Sequence, residues 1–187
     1  MTNLADEFGQ IDIYLFDQLL KGRVTARDRV LDAGCGSGRN LLYLLKMGCQ
    51  VSAIDTNPVA VAGVRDLAAE LHTGLPDANF RVEPVERLSF ADASFDVVIS
   101  SAVLHFARDA AHFEAMVGEM WRVLRPGGML FTRLASTLLP DSHYTYLVSP
   151  EHLEQLTGRL GGQLLDPIKT TFVHRQRAMS TWVVRKS

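Results

Sequence analysis

The chain has 187 residues, 47% of them apolar and 21% charged, with a formal net charge of −2. That length and apolar share suit one folded unit with a substantial core and exclude wholesale disorder. Near-balanced charge argues against a nucleic-acid binder that relies on a broad basic surface. No stretch approaches the roughly 18 uncharged apolar residues of a membrane span. The acidic start MTNLADEFGQ has neither the basic region nor the apolar run of a signal peptide. Cys35 and Cys49 have no metal-ligand spacing, so the expectation is two reduced thiols in a cytoplasmic protein that holds no metal.

Short β-branched runs alternate with helical periodicity along the chain. Ile11–Phe16 reads as part of an N-terminal helix, and residues 1–28 as a helical lid over a crevice. Arg29–Asp32 is an apolar run that stops at glycines, followed by a helix pattern over Asn40–Met47 that Gly48 ends. Val51–Asp55 is the next strand. Thr56-Asn57-Pro58 then caps a helix running to about Leu71, with proline at its first position. Strands are expected around Phe80–Val82 and over Phe95–Ser100, the latter apolar on both faces like a central parallel strand.

Asp109 caps a helix whose Phe113, Met116, Val117, Met120, Trp121 and Leu124 recur at helical spacing; Arg125–Gly128 breaks it before a fifth strand, Met129–Arg133. Ser149-Pro150-Glu151 opens a last helix that Gly161-Gly162 closes, and Ile168–Val173 with Met179–Val184 forms a terminal hairpin. The order describes an α/β fold: a doubly wound, mostly parallel seven-stranded sheet with a C-terminal antiparallel hairpin, all in one domain over residues 1–187. The ligand crevice is expected beyond the carboxyl ends of the strands, where strand order reverses.

Between the first strand and first helix lies Asp32-Ala33-Gly34-Cys35-Gly36-Ser37-Gly38-Arg39-Asn40. Glycines there let the backbone turn sharply and a ligand approach closely, and the amides of the following helix favour a negatively charged group. A dinucleotide fingerprint, G-x-G-x-x-G, would need glycine at position 39, which is Arg39; the third glycine is Gly38. The D-x-G-x-G-x-G spacing resembles motif I of the class I S-adenosylmethionine-dependent methyltransferases. Ile54-Asp55, Phe95-Asp96-Val97-Val98, Ser101-Ala102-Val103-Leu104-His105 and Leu124-Arg125-Pro126-Gly127-Gly128 resemble that family in the expected order, so the likeness covers Val30 to Thr132. The tail Met179–Lys186 is similar to the closing strand of small bacterial members, including the tellurite-resistance group.

This resemblance implies a Rossmann-like methyltransferase fold and S-adenosylmethionine as cofactor, released as S-adenosylhomocysteine. It implies cofactor contacts from Asp32, Gly34, Cys35, Gly36, Asp55, Thr56, Val85, Ser100 and Ser101. A carboxylate such as Asp55 at the end of the second strand accepts both ribose hydroxyls, and Asp32 sits near the ligand's ammonium. Pro84 stands where relatives carry an acid for the adenine amino group, leaving Glu83 and Glu86 as neighbouring carboxylates and Val85 as a backbone contact.

Methyl transfer from a sulfonium needs alignment and exclusion of water, not a protein nucleophile. A base is needed only for a protonated acceptor, and His105, after the fourth strand, is the candidate. Tyr14, His143, Tyr144 and Tyr146 are candidate acceptor contacts. The expected partner is a small molecule, with no nucleic acid and no membrane, for a monomer or homodimer. The rival readings are a non-catalytic cofactor sensor or scaffold and an NAD-type oxidoreductase.

Overall fold

A computed structural model describes residues 3–139, 144–174 and 176–187. His143 lies outside the described residues. The apolar runs form β1 (Arg29–Ala33), β2 (Gln50–Asp55), β3 (Phe80–Val82), β4 (Phe95–Ser101) and β5 (Leu124–Ala135). Two helices, α1 (Leu4–Phe8) and α2 (Ile13–Leu20), precede them. Helices α3 (Leu42–Met47), α4 (Pro58–Glu70) and α5 (Ala110–Val123) lie between strands. The chain then forms α6 (Pro150–Arg159), β6 (Gly162–Leu164), β7 (Lys169–Val173) and β8 (Arg177–Lys186).

The helix ends follow local chemistry. Asn57 Oδ1 accepts the Val59 N–H at 3.0 Å and opens α4 ahead of Pro58. Asp109 accepts the His112 N–H at 2.8 Å, and Ser149 accepts the His152 N–H at 3.2 Å. Helix α3 ends at Gly48, whose φ of 89° is a left-handed conformation suited to glycine. This helix begins two residues later than its periodicity suggests, because the Asn40 side chain is spent accepting the Asp12 N–H at 2.9 Å.

The sheet has eight strands in the order β3-β2-β1-β4-β5-β8-β6, with β7 also pairing β8. β1 through β5 are parallel to one another, and β8 runs antiparallel to β5, β6 and β7. The doubly wound architecture therefore matches the sequence reading with one strand more than the seven expected. The added strand, β6, starts at Gly162, read from sequence as the end of a helix. Gly162 has no side chain to collide with Val184 and Trp121, whose atoms would lie 2.6 and 2.8 Å from a Cβ there. The expected break over Arg125–Gly128 falls inside β5 as a register shift: Phe95 faces Leu124, and Val97 faces Met129.

Alternate residues of the central strands feed two cores. Val30, Val97, Ile99, Phe131 and Val183 pack with side chains of α2, α3 and α4. Leu31, Val98, Leu130, Trp182 and Val184 pack with those of α5 and α6. The crossovers from β1 to β3 thus lie on one face and that from β4 to β5 on the other. Strand order reverses between β1 and β4, so a crevice opens beyond their carboxyl ends. One register row crosses the sheet there: Ser101 on β4 faces Arg133 on β5, Arg133 faces Thr181 on β8, and Thr181 faces Lys169 on β7.

Trp182 is fully buried, and its indole N–H donates to Thr157 Oγ1 at 2.8 Å. Thr157→Val keeps the volume and leaves that N–H unpaired in the core. The expected loss is about 1–3 kcal/mol of unfolding free energy, read from urea denaturation.

Candidate functional site

After Asp32-Ala33 the chain must leave the sheet in a tight turn. Gly34 and Cys35 both donate their N–H groups to the Ile54 carbonyl at 2.9 Å, which pins the loop to β2. Gly34 has φ +86°, and a Cβ there would lie 2.5 Å from Val103 Cγ2, so only glycine fits. At Gly36, φ is +51° and a Cβ would meet nothing within 4 Å; here the backbone conformation and the open space beside it set the requirement.

That open space is a cleft of about 560 Å³, within the range of small-molecule sites. Gly34, Cys35, Gly36 and Ser37 form one wall, Asp55 and Thr56 the end of β2, and Glu83 to Glu86 the segment after β3. Ser101, Ala102, Val103 and Phe106 follow β4, and His112 and Met116 come from α5. Ala102 has φ +66°, strained for a residue with a Cβ, and its N–H donates to the Arg133 carbonyl at 2.7 Å.

Asp55 accepts the Gly36 N–H on Oδ2 and the Asn57 N–H on Oδ1, both at 2.9 Å. A carboxylate offers about four acceptor positions, so two remain for a ligand. Asp32 is 1% exposed, its Oδ2 has no hydrogen-bond partner among the described residues, and it sits where the chain enters the loop. Burial pushes its pKa up to about 7, with Arg39 opposing and Asp55 adding to the rise. Burial, with Asp32 and Asp55 nearby, pushes the Cys35 thiol up as well, so it stays protonated at neutral pH.

The other expected residues divide. Thr56, Val85 and Ser101 line the cleft with Asp55 and the glycine loop. Ser100 does not line it: the residue is fully buried and its hydroxyl has no partner among the described residues. His105 is 1% exposed and lies behind the wall, its Nδ1 accepting the Ala135 N–H at 3.3 Å. Burial, then the Arg177 charge, pushes its pKa down to about 4. Tyr144 packs on the His105 ring at 4.0 Å between centroids, and Tyr146 on Phe113 at 5.1 Å. Neither lines the cleft. Tyr14 lines a separate cavity between α2 and the C-terminal strands.

Two features escaped the sequence reading. Asp12, the N-cap of α2, has a fully buried carboxylate that accepts from Arg133 at 2.9 Å and from Ser101 Oγ at 3.3 Å, with Arg39 3.6 Å away. Its capping position before an apolar run was visible; its partners come from β4, β5 and the glycine loop. The second is a pair on the opposite wall, Glu86 Oε1 and His112 Nε2, 3.2 Å apart. Among the described residues no group of three or more His, Cys, Asp or Glu is placed to hold a metal ion, and no helix is long and apolar enough to cross a membrane.

A family model described as a methyltransferase domain matches residues 31–132, from β1 through β5. The chain belongs to that family. It is 33% identical over 175 residues to a malonyl-[acyl-carrier protein] O-methyltransferase of Enterobacter lignolyticus, covering 86% of this chain and 66% of the relative. It is 37% identical over 103 residues to a ubiquinone biosynthesis O-methyltransferase of Methylocella silvestris, covering 55% of this chain and 38% of the relative. The chain thus spans less than two thirds of the length of these relatives.

Among solved structures, TehB from Haemophilus influenzae shares the fold with a TM-score of 0.76 at 18% identity, over 92% of this chain and 62% of that one. A 1,6-didemethyltoxoflavin-N1-methyltransferase of Burkholderia thailandensis, crystallised with its namesake and S-adenosylhomocysteine, gives 0.73 at 22% identity, over 98% and 80%.

Two outcomes follow from the buried acids. Asp12→Ala strands Arg133 beneath the cleft without its counter-charge and is expected to cost about 3 kcal/mol in urea denaturation. For Asp32, the unfolded carboxyl titrates near 3.8 and the folded one near 7. Between those values the folded protein binds the extra proton, so Asp32 makes stability fall as pH rises through that window. Asp32→Asn is expected to remove that slope, gaining on the parent in urea midpoint between about pH 4 and pH 8.

Proposed function

We propose that the chain is an S-adenosylmethionine-dependent methyltransferase acting on a small-molecule acceptor in the cytoplasm. The observation that carries the reading is the juxtaposition, in one cleft at the strand-order switch, of the glycine loop with Asp55 on its rim. The residues present fit the cofactor. The cleft has the volume for a nucleoside with an amino-acid tail. Asp55 has acceptor positions left for a ribose diol, and the unpartnered Asp32 Oδ2 suits a neighbouring ammonium group. When bound, S-adenosylmethionine supplies a sulfonium-activated methyl group for in-line displacement.

In this reading Asp55 and Thr56 hold the ribose, and the loop from Gly34 to Gly36 with Ser101 flanks the amino-acid tail. The Val85 backbone meets the adenine edge. Glu83 accepts from the Ser89 hydroxyl at 2.6 Å and Glu86 pairs with His112 at 3.2 Å, so both carboxylates on that wall are already engaged and neither stands free in place of the acid missing at Pro84. Helices α1 and α2 act as the lid, fastened through Asp12 to Ser101 and Arg39, which both line the cleft. Phe106, 58% exposed on the cleft wall, offers an apolar surface for an acceptor.

His105 takes a packing role here. With Nδ1 accepting the Ala135 N–H, the neutral ring carries its proton on Nε2 and has no lone pair free to take one from an acceptor. The protein's work is then alignment and exclusion of water.

Calorimetry with S-adenosylhomocysteine tests the reading. The parent should bind, and Asp55→Ala should bind more weakly by about 1–3 kcal/mol, the scale of lost charge-assisted hydrogen bonds. NAD binding without S-adenosylhomocysteine binding would overturn it. Affinity without labelled product, after incubation with labelled cofactor and a metabolite extract, would favour a sensor.

A further inference from the structure

A second cavity, about 620 Å³, lies between α2 and the C-terminal strands and shares no lining residue with the cofactor cleft. Ile13, Tyr14, Ile168 and Val183 give it an apolar body, and Thr181 and Lys169 stand on its β-strand side. It sits at the far end of the register row that begins at Ser101. Three strand spacings of about 4.8 Å put Lys169 about 14 Å from Ser101. A chain of side-chain contacts runs between the two sites. Tyr14 faces the cavity, the Arg133 guanidinium lies 5.0 Å from its ring centroid, and Asp12 links Arg133 to Ser101.

The charges around this cavity are unequal. Lys21 is answered by Asp17 at 2.6 Å and Asp166 at 3.1 Å, and Arg23 by Asp166 at 2.5 Å. Arg133 shares Asp12 with Arg39. Lys169 has no carboxylate within 4 Å among the described residues; its ammonium lies 5.3 Å from the Tyr14 ring centroid, so two cations gather on one ring. Like charges so placed repel, and an anion between or beside them relieves that repulsion. The buried polar atoms agree. Thr181 is 7% exposed with its hydroxyl unpartnered, and Arg133 Nε is buried without a partner, both among the described residues.

We propose that this cavity is a second ligand site, which takes a small molecule with an aromatic or aliphatic body and one anionic group held by Lys169 beside Tyr14. It is separate from the cofactor cleft and does not depend on the methyl-transfer reading.

The test uses 8-anilinonaphthalene-1-sulfonate, an aromatic body with one fixed anion, followed by fluorescence titration of the folded chain. Lys169→Glu and Ile13→Glu change exposed positions at the cavity and should each weaken the probe about tenfold by adding like charge and removing apolar contact. Phe106→Glu, at the cofactor cleft, should leave probe affinity within about twofold, as should S-adenosylhomocysteine at a concentration shown by calorimetry to saturate. Displacement of the probe by S-adenosylhomocysteine, loss of binding in Phe106→Glu, or unchanged affinity in both Lys169→Glu and Ile13→Glu would overturn the proposal.

Discussion

Asp12 carries a negative charge with no solvent exposure, and much of the molecule is arranged around answering it. Its carboxylate accepts from Arg133 on β5 and Ser101 on β4, and Arg39 reaches toward it from the glycine loop. Its own N–H donates to Asn40 Oδ1, and Asp12 Oδ1 accepts the Tyr14 N–H to start α2. A buried charge costs several kcal/mol to desolvate, so a single partner would leave it unfavourable. Several converging donors offset that cost, and they do so only when the N-terminal segment, the glycine loop and both central strands are in place together.

Arg39 connects this network to the loop chemistry. Its guanidinium donates to Ser101 Oγ at 2.9 Å and lies 3.6 Å from Asp12, while its charge also opposes the raised pKa of Asp32. One cation thus acts on two buried acids, one fully hydrogen-bonded and one not. The under-satisfied acid, Asp32, is the one beside the glycine turn. The cleft wall is strained in the same region at Ala102, whose N–H is held by the carbonyl of Arg133. Arg133 therefore fixes the cleft twice, through its side chain to Asp12 and its backbone to Ala102.

What the sequence made legible was local. Caps at Asn57, Asp109 and Ser149 act within three residues, and the apolar runs of β1, β2 and β4 state their burial directly. The glycine spacing was legible because positive φ at Gly34, Gly36 and Gly38 is a property of single residues. The illegible parts depend on pairing across long separations. Asp12 meets Arg133 across 121 positions, and Gln18 meets Asp166 across 148. Strand β6 is three residues long with no alternation to mark it, and it exists because β8 is ten residues long and has an edge left beyond β7. His105 sits in the expected segment, but whether an imidazole faces the cleft or its back depends on the turn at Leu104–Phe106, which exposes Phe106 and buries His105.

Tyr14 shows the same limit from the other side. Its position before the first strand suggests an acceptor contact; Asp12, which caps α2, is drawn inward by Arg133. That anchoring turns Tyr14 over β5 and β8 instead of over β4. The ring then separates the cleft from the cavity under α2, with Arg133 behind it and Lys169 at its side. The ion pair that seats the N-terminal helices thus also divides the space along the sheet's carboxyl edge.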